Sequence, residues 1–211
     1  MPIKEIRSRR SIRKYKPKLI PDKVLNSILE DAIYAPSHCN TQGTRFIIIT
    51  DNKIKQELID NGASIIIKNS EQGILVLYKN ESDNTEYSDH IQSASASIQN
   101  LCLSAEEKGI GTCWICHLPH KKVIRKILNI PDFYDIVAYV MIGYPKNKPT
   151  EIKRKFEIKQ IISKNKFTLK EHHNNKTGEK ILRKIYYKLP LGIKKKLNKS
   201  IDKKFVKKFK N

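Results

Sequence analysis

No run of about eighteen apolar residues occurs anywhere in the 211-residue chain, so no segment suits a membrane-spanning helix. The opening, Met1-Pro2-Ile3-Lys4-Glu5, is of mixed charge and lacks the apolar stretch of an export signal. The four cysteines are therefore expected to be reduced, in a cytoplasmic protein. Glycine is scarce, with eight in all, and no Gly-rich phosphate loop is present. Gly109-Ile110-Gly111 lacks the third glycine and the preceding strand of a dinucleotide fingerprint. No Ser-His-Asp set and no carboxylate pair stands out for acid–base or nucleophilic work. Cys113-Trp114-Ile115-Cys116-His117 spells the c-type haem pattern, but that attachment belongs to an exported protein. The same CxxC has no second closely spaced ligand pair to complete a structural zinc site. It follows a helix and a Gly turn, whereas a thioredoxin-type pair opens a helix. Its cysteines read best as small, semi-buried packing residues, and Trp114 as core. Asn80-Glu81-Ser82 fits the glycosylation sequon but means nothing without secretion. The adjacent pair His172-His173 reads as linker.

Acidic residues are also in short supply: 21 Asp and Glu face 42 Lys and Arg, a formal net charge of +21. The excess is uneven. Residues 164–211 hold 17 basic and 3 acidic residues, while the preceding 163 hold 25 and 18. A mildly basic domain over 1–163 thus precedes a strongly basic tail over 164–211. In the tail, Leu182, Ile185, Tyr186 and Leu189 form one helical stripe. Ile193, Leu197, Ile201, Phe205 and Phe209 form another, with lysines on the opposite face. A basic amphipathic helix of this kind suits an anionic membrane surface, packing on its own domain or on a partner, or nucleic acid less well.

The densest charge in the domain is Arg9-Arg10-Ser11-Ile12-Arg13. Guanidinium groups match phosphate oxygens bidentately, and the Ser11 hydroxyl adds a neutral donor. The cluster could also be an ordinary basic arm, so the rest of the chain must decide.

Val24, Leu25, Ile28, Leu29 and Ala32 recur at helical spacing behind Pro21, which suits the first helical position. Ala35 to Gly43 is turn-forming loop. Phe46 to Thr50 reads as a buried strand, and Asp51 as the cap of a helix through Leu58. Ile74 to Tyr78 is a second buried strand, with a polar loop from Lys79 to Asp89. Ile91, Ala94, Ile98, Leu101 and Ala105 mark a long amphipathic helix that stops at Gly109. Trp114-Ile115 is a short strand or extended turn. Pro119 opens a helix through Leu128, and Ile136 to Ile142 is a third apolar strand. A helix followed by alternating strands and helices predicts an α/β or α+β layered core.

Four stretches, in order, resemble the nitroreductase family of flavin enzymes. They are Arg9 to Arg13; Ala35-Pro36-Ser37-His38-Cys39-Asn40-Thr41-Gln42 before a strand; Gln99 to Ala105 running into Gly109 to Ile115; and Ile142-Gly143-Tyr144-Pro145, followed by basic residues through Arg154. The resemblance covers about residues 3–162. It implies an α+β, three-layer fold with a central, mostly antiparallel sheet flanked by helices. It also implies a homodimer with FMN at the subunit interface. Carried over by position, Arg9, Arg10, Ser11 and Arg13 would hold the FMN phosphate and ribityl chain, with Arg154 or Lys153 closing from the far end. Pro36, Ser37, Asn40 and Gln42 would line the flavin across the interface. The backbone of Trp114, Ile115 and Cys116 would lie against the isoalloxazine ring. The implied reaction passes a hydride from NAD(P)H through FMN to a nitro, quinone or enone acceptor. The chemistry resides in the cofactor and the protein supplies placement and charge. Family members often carry Pro and an aromatic where this chain has Gly43 and Thr44, which implies a looser loop. The short stretch between Asn61 and Asp89 implies an open pocket, a bulky substrate or weak NAD(P)H binding. The competing expectation is a non-catalytic module that binds membrane or nucleic acid through its tail.

Overall fold

The computed structural model describes residues 3–81, 84, 86–147 and 149–169, with isolated positions at 185, 189, 190, 192, 193 and 197. The expected tail helices lie outside the described residues, apart from those isolated positions.

Four strands form one antiparallel sheet: β1 (Thr44–Ile49), β2 (Gln72–Lys79), β3 (Gly111–Ile115) and β4 (Tyr134–Gly143), in the spatial order β1-β2-β4-β3. Within residues 3–169 the described α-helices are α1 (Lys4–Ser8), α2 (Asp22–Ile33), α3 (Asn52–Asp60), α4 (Asp89–Glu107) and α5 (Lys121–Leu128). Strand alternation sends side chains to two faces, and each face has its own core. Ile74, Val76, Ala138, Val140 and Ile142 pack against Leu25 and Ile28 of α2 and Ile98, Leu101 and Ala105 of α4. Leu75, Leu77, Tyr139 and Met141 pack on the other face with Leu58 of α3 and Ile124 of α5. The expected α+β, three-layer arrangement is therefore present, with helices on both faces of an antiparallel sheet.

Several boundaries follow from local chemistry. The Asp51 side chain accepts the Lys53 N–H at 2.7 Å and starts α3 as expected. α4 ends in a Schellman turn: Ile110 N–H reaches the Ala105 carbonyl at 2.8 Å and Gly109 N–H that of Glu106 at 3.0 Å. Gly109 supplies the required positive φ of 69°.

Four expectations change. β1 is not a buried strand: it forms an edge of the sheet, and Ile48 is 42% exposed. A hydrophobic run reads alike in an edge strand and a central one. Pro21 caps α2 instead of occupying its first turn, its carbonyl accepting from Val24 and Leu25. α5 starts at Lys121, two residues beyond Pro119, because His120 Nδ1 accepts the Lys122 N–H and makes His120 the cap. Trp114 is not core: it is 37% exposed near the end of edge strand β3.

Candidate functional site

The arginine segment leaves α1 and runs along the free edge of β3. Ser11 bridges Thr112 in parallel, and Ile12 N–H donates to the Thr112 carbonyl at 2.8 Å. Ile12 and Tyr15 turn inward and are buried, which leaves Ser11 exposed and Arg9 and Arg13 half-buried between them. The Tyr15 hydroxyl fixes the bend by donating to the Ile12 carbonyl at 2.6 Å. Burial, with Cys113 nearby, pushes the Tyr15 phenol well above its ordinary range, so it stays neutral. Gly111 and Gly143 make room for this seating: a Cβ on Gly111 would meet Ile12 Cγ1 at 2.7 Å, and one on Gly143 would meet Tyr15 Cδ1 at 3.0 Å.

The arginines are not equivalent. Arg10 Nη1 donates to the carbonyls of Arg7, Ser8 and Arg9, at 2.6, 3.2 and 2.8 Å, and closes the C-terminus of α1. Its Nε is buried and has no partner among the described residues. Arg13 Nη1 donates to the Ser11 carbonyl at 3.2 Å. Burial pushes the Cys102 and Cys113 thiols up, and the positive charge of Arg9 opposes this for both without reversing it. These two cysteines are buried, un-ionised packing residues, whereas Cys39 and Cys116 are exposed. Of the CxxC pair expected to be semi-buried, Cys113 is thus buried and Cys116 exposed. Among the described residues no group of three potential metal ligands converges.

The second expected set lies elsewhere. Residues 35–43 fold over the N-terminal half of α4. His38 N–H donates to Ser93 Oγ at 3.0 Å, and the Thr41 and Tyr78 hydroxyls meet at 2.7 Å. Gln42 N–H donates to Ser37 Oγ at 3.1 Å, and the Gln42 amide to Asn40 Oδ1 at 2.9 Å. Cys39, Asn40 and Gln42 take positive φ values of 45°, 55° and 47°, a strained backbone held by those bonds. Gly43 does not loosen this loop. A Cβ there would meet the Tyr78 ring at 2.7 Å, and the Gly43 carbonyl accepts the Lys79 N–H at 3.0 Å. The close approach to Tyr78 is what requires glycine. A cleft of about 310 Å³ includes Pro36, Ser37, Gln42, Arg45 and Ser93, whereas Arg10 borders a separate cleft of about 560 Å³ with Lys4, Arg7 and Glu106.

Within one chain these two sets do not meet. The loop sits at Ser93, while Arg9 acts on Cys102, nine residues further along α4, roughly 14 Å at helical rise. Trp114 lies beyond Thr112 on the same edge of β3. Since Thr112 turns its carbonyl outward to Ile12, alternation turns the Trp114 N–H and carbonyl outward too, and no group among the described residues meets them. Ile115 is buried and Cys116 exposed beside them. Arg154 and Lys153 are exposed in the segment after β4, and among the described residues no hydrogen bond or ion pair joins them to the arginine segment. The capping role of Arg10 and the contribution of Ser93 to the loop carried no signal in the sequence.

The chain is similar in fold and sequence to several known proteins. The FMN-dependent nitroreductase of Clostridium difficile R20291 superposes with a TM-score of 0.67 at 26% identity, over 77% of this chain and 98% of that one. A nitroreductase family protein of Clostridium novyi NT gives 0.62 at 26% identity, over 70% and 87%. YfhC of Bacillus subtilis (strain 168), whose name places it among the NAD(P)H nitroreductases, is 31% identical over 173 residues, 73% of this chain and 89% of its own. The Nitroreductase family model matches residues 6–75 and 55–144, from the arginine segment to the end of β4. The chain belongs to the nitroreductase family.

Proposed function

We propose that the chain is an FMN-dependent oxidoreductase that passes a hydride from NAD(P)H through FMN to an organic acceptor of the nitro, quinone or enone class. Residues 1–163 carry this activity and residues 164–211 form a basic tail that brings it to an anionic membrane surface. The cofactor is FMN, as in the Clostridium difficile nitroreductase. When bound, it supplies the two-electron chemistry, and the protein supplies binding, orientation and charge.

The residues suit that group. Arg9, Ser11 and Arg13, carried on a segment pinned to β3, offer charged and neutral donors for a phosphate monoester and its polyol chain. Arg10, whose Nη1 closes α1, contributes the positive charge of its guanidinium, and Arg154 or Lys153 a further cation. The outward Trp114 N–H and carbonyl, with Ile115 and Cys116, suit the edge of a planar heterocycle that both donates and accepts. Pro36, Ser37, Asn40 and Gln42 complete the site from the second copy.

The observation that carries this reading is the separation of the two sets along α4, which a homodimer resolves by joining one end of one copy to the other end of its partner. The exposed apolar side chains after β4 support a dimer as well. Among the described residues, Ile152, Phe156, Ile158, Ile161, Ile162 and Phe167 join no core.

The test is the visible spectrum of the purified protein and its response to NADH or NADPH without oxygen. A yellow protein that bleaches is the expected result. A colourless protein that also fails to take up added FMN would overturn the proposal and favour a non-catalytic binding module.

A further inference from the structure

A second functional surface lies just beyond the arginine segment. Tyr15 bridges Pro145 in antiparallel fashion, Lys16 N–H donates to the Tyr144 carbonyl at 2.8 Å, and Lys146 N–H to the Lys14 carbonyl at 3.0 Å. Two extended segments are therefore paired, and their alternation fixes which side chains share a face. Tyr15 points into the core, so Lys14 and Lys16 point away from it, and Lys146, opposite Lys14, shares their side. At Pro17 the chain turns, with Lys18 N–H donating to the Lys16 carbonyl at 2.8 Å, and Lys18 Nζ sits 4.8 Å from the centre of the Tyr144 ring. Lys14, Lys16, Lys18 and Lys146 thus form one exposed cationic face. Among the described residues no carboxylate lies within ion-pair distance of any of the four. Residues 9–21 contain no acidic residue at all. Like charges so close repel one another unless something anionic covers them.

We propose that this face docks on the headgroups of an anionic lipid bilayer, independently of the basic tail and of the oxidoreductase reading. Three features favour lipid over nucleic acid. Leu19, next to Lys18, is 55% exposed and supplies an apolar side chain that can enter the headgroup region. The face also offers no open aromatic ring for base stacking, since Tyr15 is buried and Tyr144 is covered by Lys18. The cations are lysines, point charges suited to a diffuse anionic surface and less so to bidentate recognition of one group. Docked this way, the arginine segment, directly N-terminal to the face, would lie close to the bilayer.

The test uses the full-length chain carrying Lys14→Gln, Lys16→Gln and Lys146→Gln. These residues lie outside the proposed cofactor set, and wild-type circular dichroism with an unchanged melting temperature verifies folding. Co-sedimentation is measured with phosphatidylcholine vesicles containing about 30% phosphatidylserine and with pure phosphatidylcholine. Each lysine contributes about fivefold to partitioning at an anionic surface, so the triple variant should bind the anionic vesicles roughly a hundredfold more weakly. Binding of the wild type should also fall steeply as salt rises. Wild-type affinity in the triple variant would overturn the proposal and leave any binding to the tail. Unchanged vesicle binding together with lost binding to poly(U) would assign the face to nucleic acid instead. Both outcomes are independent of whether NAD(P)H bleaches the flavin.

Discussion

Gly111 has no room for a side chain, and the consequence reaches the proposed phosphate-binding residues. A Cβ at this position would lie 2.7 Å from Ile12 Cγ1, 2.9 Å from Ile12 Cβ and 3.0 Å from Pro145 Cγ. Ordinary contact begins near 3.4 Å, so in Gly111→Ala the Ile12 side chain must retreat by about 0.7 Å. Ile12 cannot retreat alone. Its N–H holds the Thr112 carbonyl at 2.8 Å, so the bond that seats Arg9 to Arg13 on β3 lengthens with it. Overpacking of this kind costs about 1–3 kcal/mol, which lowers the melting temperature by roughly 2–12 °C in a chain of this size. Displacing one charge-assisted contact to the phosphate loses about 1.5–3 kcal/mol, so FMN should bind some 10- to 100-fold more weakly. Fluorescence titration of FMN and a thermal melt read both effects. Gly143→Ala is the graded comparison: its nearest atom, Tyr15 Cδ1, is at 3.0 Å, so its effects should be smaller. If Gly111→Ala melts within 1 °C of wild type and its FMN affinity stays within about twofold, the seating argument fails.

Further outcomes follow from the core and from its charged groups. The Tyr139 hydroxyl is buried and has no partner among the described residues, so Tyr139→Phe should raise stability by about 1 kcal/mol in urea unfolding; a loss of similar size would reveal a hidden partner. Lys55 is 1% exposed and donates to the carbonyls of Ser70 and Glu71 at 3.0 and 2.7 Å, so Lys55→Met, which strands both, should cost about 2–3 kcal/mol. A cost under about 0.5 kcal/mol would show that the carbonyls find other donors. Burial pushes the Asp135 carboxyl up, but hydrogen bonds from Lys121 at 2.5 Å and His90 at 3.2 Å outweigh it and hold the group below the ordinary range. Its stabilisation is therefore complete above the unfolded value of ~3.9 and lost as pH falls through the lower folded value. Urea midpoints between neutral pH and pH 3 should show a shallower acid loss in Asp135→Asn than in wild type, and parallel curves would remove Asp135 from the account.

Much of the framework was legible because it rests on short-range chemistry. The three- and four-residue spacing from Ile91 to Ala105 specified α4, Gly109 its end, and Asp51 the start of α3. Burial was less legible, since it depends on which strands become neighbours. Phe46 to Ile49 has the composition of a central strand yet lies at an edge, and Trp114 is exposed because β3 closes the other side of the sheet. Among the candidate site residues, residue type pointed to Arg9, Arg10, Ser11 and Arg13 alike. It gave no sign that Arg10 Nη1 closes α1, that Gly43 answers to Tyr78, or that Ser93 anchors the loop at His38. Those roles depend on contacts between parts of the chain distant in sequence.

The most direct test of a site shared between two copies is complementation. One chain carries Arg9→Ala and Arg13→Ala, the other Ser37→Ala and Gln42→Ala. The two are co-expressed with different tags and the mixed dimer is purified through both. Each parent should bind no FMN, and the mixed dimer should regain about one FMN, half the content of a wild-type dimer, because one of its two sites receives both intact sets. A mixed dimer as colourless as its parents, with wild-type secondary structure, would contradict a site assembled from opposite ends of α4 in two chains.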